Sequence, residues 1–94
     1  MNHNRVFAEK ICPVCGYQIG FQPWADGIPK ERGCPCCGIF FGHDDTDALK
    51  REATYLRMRR HWISIGKRWC SAAPQPESFN PDQQLALLES LEAD

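Results

Sequence analysis

No stretch of this chain is apolar for long enough to cross a bilayer, and its first twenty residues, MNHNRVFAEKICPVCGYQIG, lack the continuous apolar run of a signal peptide. The expectation is a cytoplasmic protein with no membrane partner, in a compartment where thiols stay reduced. Catalytic patterns are missing as well. There is no phosphate-cradling glycine loop and no grouping of nucleophile, base and orienting residue, and His3, His43 and His61 stand apart without a carboxylate pattern for acid–base work. The chain therefore reads as a non-enzyme. Repeats and low-complexity tracts are also absent.

Charge of one sign is missing from whole segments. Residues 50–70 carry Lys50, Arg51, Arg57, Arg59, Arg60, Lys67 and Arg68 against the single acid Glu52, whereas residues 71–94 carry Glu77, Asp82, Glu89, Glu92 and Asp94 and no base. The middle is basic and the tail acidic, although the whole chain has a net charge of only −1.

What the chain does have is cysteine. Ninety-four residues make one small domain, 1–94, and a chain of this length needs help from a metal, disulfides or a partner to hold a limited apolar core. Six cysteines in a reducing compartment point to metal before disulfides. Cys12-Pro13-Val14-Cys15-Gly16 and Cys34-Pro35-Cys36-Cys37-Gly38 repeat one form, giving C-x2-C-x18-C-x2-C, a structural zinc spacing. Each CPxCG can close a tight turn whose glycine adopts positive φ, with two sulfurs on one side. Two such turns supply a tetrahedron of thiolates from Cys12, Cys15, Cys34 and Cys37, the geometry zinc accepts. By register, Cys36 takes the place of Val14 and points away from the metal, and Cys70 belongs to neither motif. Four thiolates also accept iron, the alternative occupant in vitro.

The expected fold class is α+β. Residues 5–43 read as a zinc-ribbon-like part of short strands and turns, with 22–33 as a loop turning at Asp26-Gly27. Residues 46–65 read as a long amphipathic helix, capped by Asp45 or Thr46 and ended by Gly66. Its apolar face combines Leu49, Ala53, Leu56 and Ile63 with Tyr55, Met58, Trp62 and Ile65. A short C-terminal helix over 81–92 follows, with Asn80 as N-cap, Pro81 in the first helical position and Leu85, Leu88 and Leu91 as its stripe.

Two resemblances attach to these motifs. CPVCGY, DGIP and CPCCG partly resemble rubredoxin, but here the segment between motifs is shorter and half the chain follows the second motif, which favours zinc over electron transfer. Across nearly the whole length, ICPVCGYQIGFQPW, GCPCCGIFFGHDD, RRHWISIGKRWCS and PQPESFNPDQQLALL resemble a family of small bacterial proteins named for a cysteine-rich CPCC motif. That resemblance implies a zinc-ribbon-like site and hints at an immunity-type role against a neighbouring toxin. The function expected is a non-catalytic zinc-binding module that engages a protein partner, with Trp24 in the loop and Arg57 and Arg60 on the helix as contact residues. The alternative is a zinc-ribbon regulator that meets nucleic acid through the basic helix. Trp62 and Trp69 suit either a core or an interface, and Asp44-Asp45 reads as the start of the helix.

Overall fold

The computed structural model describes residues 4–93, and its elements run α1 (Asn4–Ala8), β1 (Trp24–Ala25), β2 (Ile28–Pro29), α2 (Arg51–Ser64) and α3 (Pro81–Ala93). Short strands and helices make a small α+β fold. The opening segment departs from the expected strands, because residues 4–8 form a helical turn that packs on α3 through the fully buried Val6.

The loop 22–33 is a hairpin. Trp24 pairs with Pro29 and Ala25 with Ile28, and Asp26 and Gly27 both take positive φ (53° and 76°). That pair of conformations matches the right-handed twist of a two-residue hairpin turn, which explains an Asp-Gly at this position.

Helix α2 begins at Arg51, five residues later than the sequence pattern suggests. Neither Asp45 nor Thr46 caps it. The Asp45 side chain accepts hydrogen bonds elsewhere, and Asp47 organises a separate turn by accepting from the Leu49 amide at 3.0 Å and, through its carbonyl, from Lys50. As a result Leu49 is 96% exposed and forms no part of the apolar face. The stripe that faces inward is Tyr55, Met58, Arg59 and Trp62, while Ala53, Ile63 and Ile65 face solvent. Gly66 ends the helix as expected. At φ +94° it lets its own amide reach Ile63 O and the Lys67 amide reach Trp62 O, a paired closure that satisfies two terminal carbonyls.

Helix α3 follows its sequence signals closely. The Asn80 side chain accepts from the Gln83 amide at 3.0 Å, Leu85 and Leu88 are buried, and Leu91 packs at the edge. The core lies between the cysteine turns and the two longer helices: Trp62, Tyr55, Phe41, Ile39, Leu88, Val6 and Val14 are its largest sealed side chains. Trp62 is core, its indole N–H donating to Arg68 O at 2.9 Å. Trp69 is half-buried, edge-on to both Tyr17 (5.2 Å) and Phe79 (5.5 Å).

Candidate metal centre

The two CPxCG segments fold into the same turn. In the first, the Gly16 amide donates to Cys12 O at 2.9 Å and the Cys12 amide to Tyr17 O at 2.9 Å. In the second, Gly38 donates to Cys34 O at 2.9 Å and Cys34 to Ile39 O at 2.8 Å. Each turn ends in an isolated bridge at the same register, Ile11 with Gln18 and Gly33 with Phe40. Gly16 and Gly38 sit at φ +83° and +88°, as a matched pair must. The turns face each other and bring Cys12, Cys15, Cys34 and Cys37 together, all four sulfurs within 4.8 Å of one another.

Those sulfurs fit a metal. The Cys12–Cys37 and Cys15–Cys34 separations are both 3.7 Å. A tetrahedron with metal–sulfur bonds of about 2.3 Å has edges of about 3.8 Å, far longer than the roughly 2.05 Å of a disulfide. The Val14 amide points at Cys12 Sγ from 3.4 Å, a donor suited to a thiolate. The four thiols are not electrostatically equivalent. Burial makes ionisation costly, yet hydrogen bonds from Cys15, Cys34 and Cys37 hold Cys12 well below the usual thiol value. Burial and then the neighbouring Cys12 push Cys15 well up, and Cys12 pushes Cys37 up too. The thiolate form is thus favoured at Cys12 and disfavoured at Cys15 and Cys37. The arrangement can hold a metal ion.

Cys36 is fully buried but lies outside the four. Its sulfur accepts from Gln84 Nε2 at 3.4 Å, and the same amide group donates to Cys15 O at 3.1 Å, so α3 grips both turns at once. Cys70 is an exposed free thiol whose backbone amide donates to Cys36 O at 2.9 Å. His43 and His61 lie outside the cluster, and His3 falls outside the described residues.

The outward carbonyls of the two turns are capped at equivalent positions by different means. Pro13 O and Val14 O accept from the Arg59 guanidinium at 2.8 and 3.0 Å. Pro35 O and Cys36 O accept from the backbone amides of Ser71 and Cys70, both at 2.9 Å. Arg59 is 7% exposed and completes its fan of donors with a two-pronged pair to Glu92 at 2.7 and 2.9 Å. Part of a basic stretch in the sequence, it is an internal strut in the fold. Its spacing from Tyr55 and Trp62, four residues after one and three before the other, is the sequence signal for an inward position.

Asp45 plays a similar part at the other end of α2. It is 1% exposed and accepts from Tyr55 Oη (2.6 Å), Trp24 Nε1 (2.8 Å) and the Gly42 amide (2.7 Å). Trp24 does not project from its loop. It is half-buried, held by Asp45 and covered by the Arg51 guanidinium 3.7 Å from the ring centre. Arg57 and Arg60 do face solvent. The structure therefore brings the four cysteines together and separates them from the three residues read as partner contacts. Among the described residues no helix is long and apolar enough to cross a membrane. No protein-family model, curated protein or solved structure matches the chain.

Proposed function

We propose that this chain is a non-catalytic, zinc-stapled module that binds a protein partner. The observation that carries this reading is the closure of the metal centre: four protein sulfurs fill a tetrahedron, and Cys12, Cys15 and Cys34 are at most 3% exposed. Catalytic zinc keeps a coordination position for water or substrate, and structural zinc does not. Zinc is preferred to iron because the chain departs from the rubredoxin pattern in loop length and in the long helical half that follows. The metal's work here is to weld two turns into one rigid base for α2 and α3.

The surface left over for a partner is the outward side of α2. Lys50, Arg57, Arg60 and His61 are exposed along it, with small Ala53 and Ser64 between them and Ile63 at its margin, and no carboxylate shares that face. Arginine set among apolar groups is the composition of binding hot spots. Trp24 adds a rigid anchor near the start of the helix, clamped between Arg51 and Asp45. An immunity-type role, with a toxin as the partner, rests on the resemblance to the CPCC family. The same carboxylate-free basic face supports the second reading, a regulator that meets nucleic-acid phosphates.

Capture from the host's lysate with the wild type and with an Arg57→Ala/Arg60→Ala variant tests the first reading, alongside titration with random duplex DNA at two salt concentrations. A protein partner lost in the variant, with weak DNA binding, supports the module. Robust, salt-sensitive DNA binding with no protein captured overturns it in favour of the regulator.

A further inference from the structure

Away from the metal and from the outward face of α2, a cleft of about 480 Å³ opens between the first cysteine turn, the connector before α3 and α3 itself. Its apolar surfaces are Tyr17, Phe79 and Leu87, the last 47% exposed although Leu85 and Leu88 on the same helix are buried. Gln83, at the rim, has a carboxamide with no side-chain hydrogen bond among the described residues. Among the described residues no Asp, Glu, Lys, Arg or His lines the cleft, in a chain where about a quarter of residues are charged.

The walls are rigid. A Cβ on Gly16 would lie 2.2 Å from Gln84 O, so the turn rests directly on the α3 backbone, and Trp69 braces Tyr17 and Phe79 from behind by edge-on contacts. The lining of the cleft is mixed, with Tyr17, Phe79 and Leu87 set beside the neutral polar Gln18, Ser78, Asn80, Gln83 and Gln84, and apolar surface with placed polar groups is the usual form of a ligand site. The charge character selects the occupant. A phosphate, carboxylate or ammonium group would be stripped of water with no counter-charge to meet it. An uncharged group that pairs a bulky apolar body with an amide loses nothing of that kind, and it gains the Gln83 carboxamide as a donor and acceptor.

We propose that this cleft is a recognition pocket for an uncharged peptide segment carrying one large apolar side chain, seated against Tyr17, Phe79 and Leu87 with its main-chain amide at Gln83. The proposal rests on the protein-binding reading only in making the occupant a peptide. It concerns a surface apart from Arg57 and Arg60, so either can fail alone.

The test titrates zinc-loaded protein with N-acetyl-phenylalaninamide and, in parallel, with the carboxylate N-acetyl-phenylalanine, following the backbone amide and Trp69 indole N–H signals by NMR. Saturable shifts at Tyr17, Phe79, Gln83 and Leu87 are expected with the amide, with none at Arg57 or Arg60. The carboxylate should bind about tenfold more weakly or worse, as should the amide to a Leu87→Glu variant, whose zinc content, measured in parallel, should be unchanged because Leu87 is 47% exposed and outside the four-cysteine cluster. Absence of shifts at the cleft overturns the proposal. So does equal binding of the carboxylate, unchanged affinity in Leu87→Glu, or filling of the cleft by a second copy, seen as concentration-dependent association that Leu87→Glu abolishes while the amide has no effect.

Discussion

Replacing Arg59 with alanine should destabilise the metal-loaded protein by about 4 kcal/mol, a large part of the roughly 5–15 kcal/mol that holds a domain together. The guanidinium is 7% exposed and meets three acceptor groups at once: Pro13 O, Val14 O and the Glu92 carboxylate. Removing one partner of a buried ion pair costs about 3–5 kcal/mol, and here the Glu92 carboxylate loses the two-pronged guanidinium that meets both its oxygens. Each carbonyl left without a donor adds about 1–3 kcal/mol. The contributions overlap, since the cavity left by the side chain admits water to more than one of these groups. Arg59→Lys should recover less than half of the loss, because a single ammonium cannot serve two carbonyls and a carboxylate from one position. Urea unfolding at fixed zinc concentration measures these differences. The pairing and the capping can also be separated. In an Arg59→Met/Glu92→Leu variant the buried carboxylate is removed together with the guanidinium, so the cost of the two uncapped carbonyls should dominate, about half of the single-variant loss. A loss below about 1 kcal/mol in Arg59→Ala, or full recovery in the double variant, would refute the claim that Arg59 braces the first cysteine turn.

Three further outcomes follow from other parts of the structure. Gly16 and Gly20 share φ +83°, but only Gly16 meets another backbone, so Gly20→Ala should cost about 1 kcal/mol and Gly16→Ala more than about 3 kcal/mol; equal losses in thermal unfolding would contradict the contact with Gln84. Burial, and then the hydrogen bond to Asp45, push the Tyr55 phenol well above its usual range. The folded state thus holds that proton more tightly than the unfolded chain, so the stability it supplies is complete below about pH 10 and is lost as pH rises further. Tyr55→Phe should flatten this alkaline decline, and an unchanged slope in denaturant midpoints between pH 9 and 11 would count against it. Finally, Cys36→Ser should keep one zinc per chain by elemental analysis and Cys37→Ser should lose it, together with much of the roughly 10–16 kcal/mol that structural zinc contributes to small folds; the reverse pattern would show that the register of the second turn is misassigned.

Features set by local chemistry were readable in the residues. Asp26-Gly27 needs no tertiary context to turn a hairpin, Asn80-Pro81 starts a helix with its own side chain, and Gly66 ends one through its own φ. The spacing of the cysteines likewise carries its meaning within two short segments. The residues that were hard to read are those whose role comes from distant partners. Asp45 looks like a helix cap until Tyr55, ten residues on, and Trp24, twenty-one residues back, claim its carboxylate. Arg59 looks like surface charge because its acceptors lie 33 and more residues away in either direction. Helical periodicity placed Tyr55, Met58 and Trp62 correctly on the inward side of α2 but drew the apolar face too broadly: the inward stripe also contains Arg59, and Leu49 and Ile63, which look like core, face solvent.

The order in which these parts lie along the chain bears on how the protein is made. All four metal ligands are translated by residue 37, but what covers them comes later: Arg59, then Cys70 and Ser71, then Gln84 and Glu92. At roughly 5–20 residues per second, several seconds pass between the last ligand and the last cover. During that interval the four thiols lack the side chains and amides that cap their turns in the folded protein. A metal bound then would be in place before α2 and α3 close over it, and its supply would matter most to the nascent chain.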